Sequence, residues 1–299
     1  MIRKRIKKAF NMKIIKYFIQ AFIIYLFFIL IKILGLNISR KLFAKIFQII
    51  GPLIKSEKTI NENLEKFLSS YNEEQKKTIK KTMWSNYGKT FVEYLFLNKF
   101  RKDNSHINFK GKEVLKSIIN KNKPVIFVSG HFANFELMSM ELTRESINLA
   151  TIYRPLNNLF LNPFMEYVRR TYVCRNQIKK GIAGVKDSIN YLKKNYSIAL
   201  MIDQRVSEGK RLPFFDQMAL TTTLPAQLAI KFDLEIVPIY IKRNLDDSFE
   251  MEILKPITLD RNEDLTTQKI NTTIKLNKIL EEMISCDPGQ WIWTHNRWK

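Results

Sequence analysis

The chain predicts an α/β fold in which a mixed central sheet is flanked by helices and preceded by a helical membrane anchor. Three observations carry this. From Lys123 onward, short apolar runs alternate with amphipathic stretches, the pattern of strands interleaved with helices. An apolar block near the amino terminus lies between two lysines. Residues 1–50 also hold eleven Lys/Arg and no acid, so half of the formal net charge of +22 sits there. At 299 residues and 45% hydrophobic, the chain can bury one full core with an appendage. We divide it into an anchor with an interfacial helix (residues 1–55) and a main domain (residues 56–299).

The anchor comes first. Tyr17–Ile31 is a run of fifteen residues with no charge, about 22 Å of helix against the roughly 30 Å of a hydrocarbon core. Snorkelling of Lys16 and Lys32 extends its reach towards Leu36. No small-residue cleavage site follows, so the run reads as an uncleaved anchor, spanning or deeply embedded. Next, Leu42, Phe43, Ile46, Phe47, Ile50, Leu53 and Ile54 recur at helical steps opposite Arg40, Lys41, Lys45 and Gln48. That stripe suits a helix lying in a membrane interface and equally one packed on a domain; the neighbouring anchor favours the interface. Nucleic acid is a poorer partner for this charge, because a block of aliphatic residues and phenylalanine does little to track phosphates.

Residues 57–102 read as solvated helix with the apolar stripe Leu64, Phe67 and Leu68, then a second stripe from Trp84 to Leu95 that packs on the core. Strands are expected at 124–129, 148–153, 197–202 and 235–241, with Phe249–Leu254 at an edge. Helices are expected at 134–146, 158–172, 181–194, 222–232 and 266–285. The connection 203–222 is long enough to move as a lid.

Chemistry concentrates in Gly130-His131-Phe132-Ala133-Asn134-Phe135-Glu136, directly after the first of these strands. It places one of only three histidines five residues before a carboxylate. On an unbroken helix residues five apart diverge by roughly 140°. His131 and Glu136 therefore meet only if the histidine sits on the strand-to-helix turn and the glutamate in the first helical turn, with Asn134 as the cap. A neutral imidazole so held takes a proton from a hydroxyl, which then attacks an acyl carbonyl, with helix-start N–H groups for the oxyanion. A capping histidine beside a surface glutamate is the plainer alternative. No metal or cofactor is called for: His106, His131 and His295 are scattered, no His-Glu-x-x-His run occurs, and Gly181 and Gly184 lack a P-loop lysine. Cys174 and Cys286 match no metal spacing and suit reducing surroundings.

The stretch Gly130–Glu136 resembles the His-x4-Asp/Glu motif of glycerolipid-type acyltransferases, and more specifically the lipid A late acyltransferases (lauroyl/myristoyl transferases). Further matches follow in the family's order. They are Tyr153-Arg154-Pro155-Leu156-Asn157-Asn158, Asp203-Gln204-Arg205, Pro213-Phe214-Phe215, Thr221-Thr222-Thr223, Ile236-Val237-Pro238-Ile239 and the ending Trp291–Lys299. The resemblance covers nearly the whole chain.

It implies an acyltransferase with His131 as general base and Glu136 as its orienting partner. The donor implied is a fatty acyl thioester on acyl carrier protein, and the acceptor a hydroxyl of a Kdo-bearing lipid A precursor, at the cytoplasmic face of the bacterial inner membrane. Arg154 stands where the family places a substrate-binding arginine, suited to phosphate or carboxylate. Asn157 and Asn158 fit turn formers as well as ligands. Asp203 and Arg205 fall in a binding segment whose third position often carries an acid in the family; the arginine brings a cation to an anionic substrate or marks another acceptor. Thr221–Thr223 suit a helix cap, and the terminal tryptophans a lipid interface or the core. Two rivals stand beside this reading: the same chemistry on a lysophospholipid, aminolipid or glycolipid, and a noncatalytic membrane-surface protein.

Overall fold

In the computed structural model, residues 2–67 and 71–299 are described, residues 2–10 by their backbone alone. Leu68 of the first stripe, and the side chains of Arg3, Lys4, Arg5, Lys7 and Lys8, lie outside that description. Helix α1 (Ile2–Ile54) runs through both amino-terminal segments and leaves helical geometry only at Gly35, where φ is 75°. That left-handed backbone favours glycine. Residues 11–34 ahead of the kink, about 36 Å of helix, exceed a hydrocarbon core. By length and composition the helix is able to cross a membrane. Phe18, Phe22, Leu26, Ile29 and Ile33 stand exposed along it.

The other side of α1 is not free. Past the kink it lies against α3 (Glu73–Glu93), with Phe43 stacked on Phe91 at 5.7 Å and on the edge of Phe27 at 5.6 Å. The two helices approach so closely that a Cβ on Gly88 would lie 2.1 Å from the Phe43 carbonyl oxygen. Helix α2 (Glu57–Phe67) is clasped to the carboxyl-terminal tail, where Asn63 Nδ2 donates to the carbonyls of Trp293 (2.8 Å) and His295 (2.7 Å). Helix α3 opens on a capping box in which Asn72 and Gln75 satisfy each other's backbone N–H groups.

After the short helix α4 (Leu97–Lys102), strands and helices alternate. The strands are β1 (Ile107–Lys110), β2 (Ile126–Ser129), β3 (Leu149–Tyr153), β4 (Asn176–Lys179) and β5 (Ser197–Met201). A hairpin follows, β6 (Lys210–Phe214) and β7 (Gln217–Thr221), then β8 (Ile236–Arg243) and β9 (Phe249–Ile253). Between them run α5 (Lys112–Lys121), α6 (Glu136–Arg144), α7 (Asn162–Val168), α8 (Ile182–Lys193), α9 (Leu224–Phe232) and the long α10 (Leu265–Cys286). Seven strands form one sheet in the order β1-β9-β8-β2-β5-β3-β4, and β8–β9 is its antiparallel pair. The sheet is thus mixed, with helices on both faces. Ile126 and Val128 join the cluster under α9 and α10, while Val125 and Phe127 point to the opposite cluster under α6. This alternation is what a doubly covered strand requires.

Two expectations change. Strand β9 is not an edge, because β1 pairs outside it in parallel. The 203–222 connection is not a loose lid but the β6–β7 hairpin, turning through Phe215 and Asp216 at φ 49° and 55°. That pair of left-handed residues is the turn that matches strand twist. Asn277 Nδ2 of α10 donates to Pro213 O (2.6 Å), and Arg297 NH1 to Leu220 O (2.6 Å), so the hairpin is fastened. The terminal tryptophans are core: Trp291, Trp293 and Trp298 are all buried.

The Gly88 contact yields a test. Gly88→Ala must push α1 away from α3, and overpacking of this kind costs about 1–3 kcal/mol. The expected outcome is a lower chemical-denaturation midpoint in detergent, whereas an unchanged midpoint would mean that α1 does not lie this close to α3.

Candidate active site

Strands β2 and β5 are parallel neighbours, and Ser129 pairs with Met201. Two residues beyond that pair on each strand stand His131 and Asp203. The register therefore brings imidazole and carboxylate together at the carboxyl ends of adjacent central strands, where open α/β sheets form their binding crevices. His131 Nδ1 lies 2.8 Å from Asp203 Oδ1, and the His131 backbone N–H donates to Oδ2 at 2.9 Å. Trp291 Nε1 donates to the same Oδ2 at 2.8 Å. Burial alone would favour the neutral acid at Asp203, but His131 and these hydrogen bonds outweigh it and pull the carboxyl down to about 2. An ionised acceptor fixes the proton on Nδ1, which leaves Nε2 to accept another. No hydrogen-bond partner meets Nε2 among the described residues, and 18% of the His131 side chain is exposed. The edge of Phe135, 4.6 Å away, packs against the ring.

The expected His131–Glu136 contact does not form. The backbone places both residues as the motif demands, the histidine on the turn and Glu136 as the first residue of α6. Their side chains nevertheless part. Glu136 Oε1 accepts from Arg169 Nε and from Tyr94 OH, each at 2.8 Å. Both cation and phenol are held in a buried setting. Burial works against the Arg169 charge, yet Glu136 and Tyr94 overcompensate and raise its pKa. Burial first, and Glu136 next, push the Tyr94 hydroxyl up as well. The orienting carboxylate beside His131 is Asp203. Its placement as a substrate ligand is corrected too, since it is 1% exposed and its oxygens are engaged.

Asn134 does not cap α6 with its side chain. Its Nδ2 donates instead to Glu93 Oε2 (2.9 Å), a fully buried carboxylate also held by Arg40 and Arg243. Ala133, at φ 43°, is pinned in that conformation from both sides. Its N–H donates to Gln290 O (3.1 Å), and its carbonyl accepts from Thr90 Oγ1 (3.1 Å). The motif loop is thus a rigid bracket built from β2, α3 and the tail.

The remaining predicted residues fall into two groups. Arg154 and Asn157 are exposed past β3, free to meet a ligand. Asn158 is a turn former: Oδ1 accepts from Phe160 N–H (3.0 Å), while Nδ2 donates to Tyr17 O of α1 (2.9 Å). Arg205 is half-buried, and its Nε meets no hydrogen-bond partner. Thr222 Oγ1 accepts from Leu224 N–H at the start of α9, and Thr221 Oγ1 from Arg297 NH2 at 2.8 Å.

Several site residues escaped the sequence reading. Lys180 follows β4; burial and then Arg154 lower its pKa, and it also senses the Asp203 charge. Lys180 and Arg154 are thus two cations beside the His131 end of the sheet. His295 is pushed down to about 4 by burial, with Asp203, His131 and Arg297 acting on it in turn. Its Nδ1 is buried without a partner. Tyr87 shares a 2.7 Å hydrogen bond with Thr294, and burial raises its hydroxyl to about 12. The available signal was the aromatic ending and the acid two residues past a strand; cross-strand register was not visible. No group of acids, histidines and cysteines fit for a metal occurs among the described residues.

These shifts set the pH dependence. His295 is depressed from 6.5 to about 4, so its stabilising share is present above 6.5 and is lost as pH falls through 4. Asp203 is depressed from 3.8 to about 2, so its share is lost later, as pH falls from 3.8 through 2. Denaturant midpoints across this range should fall in two stages. His295→Asn should flatten the first stage and Asp203→Asn the second.

Among curated proteins, no sequence matches the chain. A scan against protein families matches residues 5–299, essentially its whole length, to one described as bacterial lipid A biosynthesis acyltransferase. The His131–Asp203 pair at the strand ends thus stands in a chain that belongs to the bacterial lipid A biosynthesis acyltransferase family, enzymes that transfer acyl groups.

Proposed function

We propose that the protein moves a fatty acyl chain from an acyl carrier protein thioester to a hydroxyl of a Kdo-bearing lipid A precursor. The observation that carries this reading is the imidazole of His131, locked by Asp203 through Nδ1 and open at Nε2. In our reading Nε2 takes the proton of the acceptor hydroxyl as the oxygen attacks the thioester carbonyl. Asp203 stabilises the imidazolium that forms. Leu137 and Met138 N–H are bonded to the carbonyls of Asn134 and Phe135, so the N–H groups of Phe135 and Glu136 at the start of α6 hold the oxyanion. Collapse then breaks the C–S bond, and the imidazolium returns its proton to the departing thiolate. Base catalysis of this kind contributes about 10²–10⁴-fold and each oxyanion donor about 10²–10³-fold.

Glu136 enters through its ion pair with Arg169 rather than through the histidine. We assign Arg154, Asn157 and Arg205, with Lys180, to the anionic acceptor; their exposure and charge suit phosphate and carboxylate groups. Asn158 serves that loop by tying it to α1. Residues 1–55 act as the membrane anchor and 56–299 as the acyltransferase domain. The exposed apolar residues of α1 support membrane attachment, and the free thiols of Cys174 and Cys286 suit the cytoplasmic face of the inner membrane. No cofactor is invoked.

The test is an assay of the purified full chain with defined acyl carrier protein thioesters and defined acceptors, read by mass spectrometry. Only the lipid A precursor should gain one acyl chain; acylation of a lysophospholipid, aminolipid or glycolipid instead would overturn the acceptor. His131→Ala should abolish transfer while membrane binding persists, and unchanged lipid composition would mean a noncatalytic protein. Asp203→Asn should lower kcat by about 10³–10⁴-fold, by loss of the tautomer lock. Glu136→Gln, if it acts through Arg169, should keep the pH profile of kcat while reducing its height.

A further inference from the structure

We propose that a groove between α1 and the corner joining α3 to α4 holds one anionic phospholipid of the bilayer. Its acyl chain lies along α1 and its phosphate on Lys32 and Lys99. The inference rests on the membrane attachment read above. The groove, about 540 Å³, is lined by Tyr25, Phe28, Ile29, Ile33, Leu95 and Phe164, with Lys32 at its polar end. Residues 25, 28, 29, 32 and 33 recur at three- and four-residue steps, so they form one face of α1. Phe28 and Phe164 make the wall, their rings 5.0 Å apart. Ile29 and Ile33 remain exposed and continue the apolar surface of the helix, so the groove opens where acyl chains would be.

Charge at one end selects the occupant. Lys32 Nζ lies 4.6 Å from the centroid of Phe96, and Lys99 Nζ lies 5.2 Å from the same centroid. Lys32 donates to Leu95 O at 2.6 Å, which uses one of its three N–H groups. Among the described residues neither lysine forms an ion pair. Two ammonium groups lie against one ring with no acid paired to either, a setting that favours an anion at this end. A zwitterionic headgroup would bring its own cation to the same place. The acyl acceptor is a weaker occupant, because neither His131 nor Asp203 lines the groove. Leu95 of the groove follows Tyr94, whose hydroxyl donates to Glu136.

The experiment uses the full chain carrying Ile29→Trp in vesicles of phosphatidylcholine and phosphatidylglycerol, with brominated chains placed on one lipid or the other. Quenching of the added indole is taken after subtracting that of the parent protein. Bromines on phosphatidylglycerol should quench more than the same fraction on phosphatidylcholine. Lys99→Glu, at an exposed position, should reduce this preference by more than about fivefold, since it removes one interfacial lysine and adds an acid. Lys32→Gln should reduce it about fivefold. Equal quenching by both lipids, or a preference untouched by Lys99→Glu, overturns the site while vesicle sedimentation still supports the membrane reading. Failure to sediment with either vesicle overturns both.

Discussion

A single buried carboxylate organises this protein. Glu93, fully buried near the end of α3, accepts from Arg40 of α1, from Arg243 at the end of β8 and from Asn134 of the motif loop. The amino-terminal helix, the central sheet and the motif loop meet on its two oxygens. Removing one partner from such a buried network costs about 3–5 kcal/mol, because the charges left behind lose their compensation. The same low dielectric that makes the arrangement costly to break makes it rigid once satisfied. Ala133 keeps a left-handed backbone here because Thr90, three residues before Glu93, and Gln290 of the tail hold it there.

Register, in turn, makes the chemistry. Ser129 and Met201 are partners across two parallel strands, so the side chains two residues on share one crevice edge. The carboxyl-terminal tail completes the pair. Trp291 donates to Asp203, Gln290 exchanges hydrogen bonds with the backbone of Arg243, and Arg297 binds the β6–β7 hairpin. The tail is therefore part of the site's wall rather than an appendage, and the hairpin that could have been a lid is part of its frame.

Around that frame the charge is divided by task. Arg40, Arg169, Arg243 and Arg297 are drawn inside and spent on structure. Arg154 stays exposed near Lys180, where burial first and repulsion second hold the lysine below its usual value. Paired cations of this kind favour an anionic group over water. Helix α1 is likewise two-sided: Phe43 and Ile31 are buried against the domain, whereas Phe22 and Ile29 face outward.

Much of this was written in the chain. Apolar runs marked the expected strands at 124–129, 148–153, 197–202 and 235–241, because a strand covered on both sides has to be apolar on both faces, and alternation marked Phe249–Leu254. The basic, acid-free amino terminus marked α1, and the Gly130–Glu136 spacing marked the turn. What local pattern could not carry was distance between segments. His131 and Asp203 are 72 positions apart, and only strand pairing joins them. Glu136 looked free for the histidine because Arg169 and Tyr94, which claim it, lie on other helices. Strands β1 and β4 were too short and too polar to stand out, their hydrogen bonds being supplied by β9 and β3. Composition and periodicity thus determined most of the elements and singled out the His131 imidazole; tertiary packing alone decided which carboxylate meets it, since charge pairing follows proximity in space.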